Sequence, residues 1–276
     1  MVALSPSALH GFLRGLARAD LNFAPTPSAT ILPLLVAATL GQGHAWLKPC
    51  MDVGFEALPP KPALIPPQPV SLLEDRQQYP RRFLVAQVKE AIAKSAVLIG
   101  VPRSIELAVK LGEIVDEDDL GKPFVREMLE KEGIPTAQLG QDGLAGLRTV
   151  YKENLDEIFS NFKKLGLEDI RFLSQYITYG TFLTPYGTAT DSPDPLAADP
   201  RLLSVVTLST LVPQRTEREI LWHLRGAIRR GWQRSEVEKL QRAIEKVAEA
   251  CGVDDIGRGM PRVSDIELQP EEKDNA

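Results

Sequence analysis

The chain has 276 residues, 43% of them hydrophobic and 25% charged, enough to bury a sizeable core with an ordinary globular surface. Its formal net charge of −5 argues against nucleic acid or an anionic membrane as the main partner, since both select basic surfaces. The two cysteines, Cys50 and Cys251, form no CxxC and join no Cys/His cluster, which argues against a disulfide scaffold or a zinc site.

Residues 1–28 form an N-terminal helix and connector, with Leu9, Phe12, Leu13 and Leu16 on one face of a helix over 5–19. This start carries Arg14 and Arg18 and no acid, so a mitochondrial transit peptide is the alternative to an ordinary first helix. No apolar h-region follows a basic start, and the expected location is the cytoplasm. The longest apolar candidate, Ile31 to Leu40, is about half of the roughly 20 residues a bilayer requires and contains Pro33.

Helical patterns run over 30–41 and 44–57. Residues 58–80 then carry Pro59, Pro60, Pro62, Pro66, Pro67 and Pro69 and read as an inserted arm, because proline is excluded from helix interiors. Helices are expected over 81–99, stopped by Gly100-Val101-Pro102, then over 103–115 and 123–132, with the acidic run Asp116 to Asp119 as a solvated turn. Residues 136–144, with Gly140 and Gly143, read as the boundary between two halves. The second half is expected to hold helices at 145–164, 167–183, 199–212, 215–230 and 234–251. Val205, Val206, Thr207 and Thr210 are β-branched but fit a buried helix. The expected class is all-α.

The two halves, 29–135 with its insertion at 58–80 and 145–256, echo each other before a tail at 257–276. Each has a buried helix (Leu35 to Leu40; Val205 to Val212), a helix ending in glycine (Trp46 to Gly54; His223 to Gly231) and a helix closing on Gly-Val. This pattern reads as a tandem duplication in one compact domain.

Chemistry concentrates in Arg215 to Gly231. Thr216 and Glu219 read as a capping box, and Glu219 and His223, four residues apart, share one helix face. A carboxylate there can orient an imidazole, the side chain suited to proton transfer near neutral pH. Arg225 lies two residues beyond the histidine, Ser235 reads as the next N-cap, and Arg229, Arg230 and Arg234 read as a solvated helix end. Taken alone, Glu219 could simply complete the cap and His223 could be a satisfied core histidine.

Glu219-x-x-x-His223-Leu-Arg-Gly-Ala-Ile-x-x-Gly231, preceded by Gln175-Tyr-Ile-Thr-Tyr-Gly180 and by Asp199 to Leu211, resembles the signature of the carboxymuconolactone decarboxylase-like and alkyl hydroperoxidase D-like family. The resemblance covers most of 30–113 and 145–255. It implies a helical bundle of the alkyl hydroperoxidase D-like type, usually a homo-oligomer. It also implies cofactor-free decarboxylation or lactone processing of a small organic acid. His223 would be the acid/base and Glu219 its partner, with Arg225, Tyr176 and Tyr179 as substrate contacts and no metal. The peroxidase branch uses a CxxC pair that is absent here; a one-cysteine variant would need Cys50, with His44 as base. Thr181, Leu202 and Leu203 stand where the family carries charged groups, and Trp46 holds in the first half the place of His223. These departures make a non-catalytic oligomeric accessory protein the main alternative.

Overall fold

The computed structural model describes residues 5–62, 72–121, 125–131, 133, 136–185 and 192–267. Among them all regular structure is helical. Helix α1 (Pro6–Gly15) runs into a π-helical turn (Leu16–Asp20), followed by α2 (Ser28–Thr39) and α3 (Gly43–Glu56). Next come α4 (Leu72–Gln78), α5 (Pro80–Ile99), α6 (Val101–Ile114) and the short α7 (Glu127–Lys131). The second half has α8 (Thr136–Tyr151), α9 (Asn154–Lys164), α10 (Glu168–Phe172) with its π-helical continuation Leu173–Leu183, α11 (Arg201–Leu211), α12 (Glu217–Arg229) and α13 (Arg234–Ala250).

Two helices are apolar almost all round, which forces them inside. Helix α2 buries every residue from Thr30 to Thr39, and α11 every residue from Leu202 to Leu211. They pack on each other, and one hydrophobic core runs from Leu9 to Ile266, so the two halves share a single interior. The β-branched residues of α11 are buried in the helix, and Thr210 satisfies its hydroxyl there by donating to the carbonyls of Val206 and Thr207. Trp46 is core, edge-on to Phe12 at 6.1 Å. A smaller cluster joins Leu147, Val150, Tyr151 and Leu155 to Tyr179, Leu183 and Leu203.

Several expected boundaries move. Residues 136–144 do not separate the halves; they open α8, and their glycines are its packing face. A Cβ on Gly143 would stand 1.8 Å from the Gln175 carbonyl oxygen, and one on Gly180 would stand 2.5 Å from that of Leu139. The expected helix 145–164 is two helices, broken at Lys152, whose φ is 44°. The Pro-rich arm ends in a helix, α4, held by the buried Asp75–Arg82 pair, while residues 63–71 lie outside the described ones. The tail is pinned through residue 267: Val263 and Ile266 are buried, and Arg262 bonds Glu245 at 2.7 Å. Residues 268–276 and 122–124, where an expected helix began, also lie outside. No described helix is long and apolar enough to cross a membrane.

Gly143→Ala should therefore cost about 3 kcal/mol or more, because backbone rather than a flexible side chain must yield. Gly11→Ala, on α1 with nothing within 4 Å of the new Cβ, is the control and should be neutral or slightly stabilising. Urea unfolding of the two variants checks this; equal midpoints would refute the close α8 contact.

Candidate functional site

Helix α12 is amphipathic, burying Ile220, His223, Leu224 and Ala227 while Glu217 and Arg218 face solvent. Its Gly226 admits α8: a Cβ there would lie 3.3 Å from a methyl of Val150. That close approach carries the next residue, Tyr151, over the outer turn of α12. The π-helical segment behind brings Tyr179 to the same point.

A cavity of about 650 Å³ opens along this junction. Its walls are apolar: Leu147, Leu155, Ile158, Phe159, Phe162, Leu183, Leu211 and Trp222, whose ring meets Tyr151 edge-on at 4.8 Å. Its mouth is formed by exposed Asn161, Lys164, Leu165, Ile170, Leu173 and Arg218. Glu219, Tyr151, Tyr179 and His223 form its polar floor.

The four floor groups lie side by side. The Tyr151 hydroxyl donates to Glu219 Oε2 at 2.9 Å, Tyr151 and Tyr179 pack in one cluster, and the Tyr179 hydroxyl lies 3.5 Å from His223 Nε2. Burial dominates the electrostatics. It pushes Glu219 up from the usual carboxylate range and both phenols well above theirs. It drives His223 down to about 3, with the Arg230 guanidinium adding to the effect. The imidazole is therefore neutral near pH 7. Its Nδ1 is buried with no hydrogen-bond partner, at a cost of about 1–3 kcal/mol. Arg230 is half-buried overall, yet its Nη1 is sealed and without a partner among the described residues.

The histidine makes stability depend on pH with a definite sign. Its folded pKa lies below its unfolded value of 6.5, so its contribution is present above that pH and is lost as pH falls toward 3. Between about pH 6 and pH 4 the wild type should lose about 1.4 kcal/mol per pH unit more than His223→Gln. Glu219 has the opposite sign but is retained in both proteins and cancels. Denaturant titrations at the two pH values measure the difference; parallel losses would refute the buried neutral imidazole.

Of the residues expected from sequence, His223, Glu219 and Tyr179 meet at the cavity. The direct Glu219–His223 pairing is corrected: Glu219 bonds Tyr151, and His223 Nε2 faces the Tyr179 hydroxyl instead. The capping box is also absent, since Thr216 turns its hydroxyl to the Leu211 carbonyl, leaving Glu219 for Tyr151. Gln233 and Glu236, not Ser235, cap α13. Tyr176 stacks on Phe172 at 4.9 Å and lies over Gly140, outside the cavity wall. Arg225 does not line the cavity; its Nε is buried without a partner. The basic helix end is not solvated: Arg229 donates to the Val150 carbonyl at 2.5 Å, Arg234 to that of Val263 at 2.8 Å, and Arg230 lies against the floor.

Cys50 is buried in the core beside Cys251, where burial raises its pKa and suppresses the thiolate. His44 instead faces solvent near Glu106 at 3.5 Å, so no His44–Cys50 couple forms. Tyr151, the place of Arg230 beside the site and the lining role of Trp222 were not read from the sequence. Tyr151 closes an ordinary amphipathic helix, and no local spacing links it to α12. Among the described residues no three His, Cys, Asp or Glu side chains converge as metal ligands. No family model, curated protein or solved structure matches the chain, so the reading of this site rests on its own geometry.

Proposed function

We propose that the chain is a carboxymuconolactone decarboxylase-like enzyme of the alkyl hydroperoxidase D-like fold type. It carries out cofactor-independent proton transfer, as decarboxylation or lactone processing, on an organic acid or lactone held in the cavity. The observation that carries this reading is the convergence of Glu219, Tyr151, Tyr179 and His223 on the floor of an otherwise apolar pocket.

A neutral imidazole that strongly resists protonation is a poor proton store by itself. In a chain it needs to store nothing. A substrate proton taken by the imidazole is matched by one given from its other nitrogen toward Tyr179 and onward by way of Tyr151, whose hydroxyl already bonds Glu219, to the carboxylate. The proton ends on the carboxyl group whose pKa burial has raised, and no imidazolium forms. Run backwards, the same chain returns the proton to a product carbanion or enolate. Arg230, close enough to depress the imidazole, also offsets negative charge on the phenols. An exposed apolar row on α6, Val101, Ile105 and Val109, supports assembly with further copies of the chain.

The test is turnover of a panel of unsaturated lactones and lactone acids, followed by loss of conjugation and release of CO₂. Glu219→Gln, which keeps the Tyr151 bond but cannot accept the proton, should lower turnover about a hundredfold. Absence of turnover across the panel, or a fully active Glu219→Gln protein, would overturn the reading.

A further inference from the structure

We infer that the cavity takes a single-chain amphiphile, its hydrocarbon body lying along α9 and its anionic head, a carboxylate, held at the mouth beside Lys164 and Arg218. The inference rests on the reading of this cavity as the ligand site and names the ligand's class.

Helix α9 supplies the first observation. Leu155, Ile158, Phe159 and Phe162 recur at helical spacing on one face, and Leu165 follows just past its end. Such a stripe normally packs against protein. Here all five side chains line the cavity, and of them only Leu155 is buried. Leu165 is 71% exposed, so the apolar wall continues past the mouth, where exposed Ile170 and Leu173 extend it. A small polar acid would leave most of this stripe uncovered. A hydrocarbon chain running the length of a cavity of about 650 Å³ would cover it.

Charge places the head. Glu219 is the only acid among the described lining residues and belongs to the floor, where a ligand carboxylate would meet like charge. The two cations of the lining, Lys164 and Arg218, are exposed at the mouth, and neither makes a salt bridge among the described residues. A carboxylate there meets both cations and keeps its contact with water, so only the chain is desolvated. The whole protein carries a net charge of −5, which favours cations in general; a preference for an anion must therefore originate in these two side chains.

Isothermal titration calorimetry on the whole protein, below micelle-forming concentrations, compares octanoate, dodecanoate and dodecyltrimethylammonium. The longer chain should tighten dodecanoate over octanoate by about a hundredfold. Dodecanoate should also bind at least about tenfold more tightly than the cation of equal chain length, and Lys164→Glu combined with Arg218→Glu should reverse that order. Both side chains are exposed, so the fold should tolerate the change. A terminally brominated dodecanoate locates the chain: it should quench the fluorescence of Trp222 in the cavity wall, and Trp222→Phe should abolish the quenching, since Trp46 and Trp232 are buried in the core. Equal binding of the two carboxylates, tighter binding of the cation, a preference that survives the charge reversal, quenching that survives Trp222→Phe, or binding of none of the probes would each overturn the inference. The readout is equilibrium binding, so it separates from the catalytic reading. The expected binding without turnover would sink the enzyme and keep this ligand class; turnover of small lactone acids without binding of dodecanoate would do the reverse.

Discussion

Lys94→Ala is expected to destabilise the protein by about 3–5 kcal/mol, the usual result of removing one partner from a buried ion pair. Lys94 on α5 is fully buried. Its ammonium lies 2.9 Å from Asp194 and 3.2 Å from Glu90, and donates to the Phe182 carbonyl at 2.6 Å. Glu90 has a second cation, Arg126, in a two-pronged contact at 2.8 and 3.0 Å. Among the described residues the Asp194 carboxylate otherwise accepts only from the Leu196 amide, so it bears most of the loss. The consequence reaches the site, because Lys94 and Arg126 together hold the carbonyls that end the π-helical segment carrying Tyr179.

Lys94→Met separates charge from packing, since methionine fills most of the same space. If charge dominates, Lys94→Met should cost nearly as much as Lys94→Ala, and adding Asp194→Asn should recover a large part. Denaturant unfolding of the three proteins decides it. A Lys94→Met protein within about 1 kcal/mol of wild type would show that the network contributes little.

Replacing His223 by alanine is expected to lower turnover by about 10²–10⁴-fold, the span usual for a lost proton-transfer group. The change is well suited to the question because the side chain borders an existing cavity, so the void it leaves joins that space and folding should suffer little. Tyr179 then loses its link to the substrate while Tyr151 keeps its bond to Glu219. Added imidazole should restore part of the rate by occupying the vacated space, something a purely structural role for His223 would not permit. A folded His223→Ala protein with wild-type turnover would remove the histidine from the mechanism. A folded, inactive protein that imidazole does not rescue would count against the chain of proton transfers.

The Glu219-x-x-x-His223 spacing singles out α12 but says little of what surrounds it. Spacing alone made Glu219 and His223 neighbours and offered Thr216 as a cap. In three dimensions the carboxylate is drawn away by a tyrosine from another helix. Tyr176 and Tyr179 looked equivalent in sequence; the π-helical winding sends one to the cavity floor and the other onto Gly140. Arg225 looked like the cation of the site, but Arg230, five residues on, is the one whose charge reaches the imidazole.

The sequence by itself determined the helical class and the positions of most helices. Apolar periodicity, proline and glycine act within a few residues and need no knowledge of the rest of the chain. It also determined that α2 and α11 are interior, since a helix apolar on all faces has nowhere else to go. The tertiary structure alone decided which polar groups meet. Tyr151 reaches Glu219 across 68 positions, and Lys94 reaches Phe182 across 88. Such pairings depend on close helix approaches such as those at Gly143 and Gly226, where a single Cβ would hold the backbones apart. The charge states of the site were decided there too, because desolvation is a property of everything packed around a group and not of its neighbours in sequence.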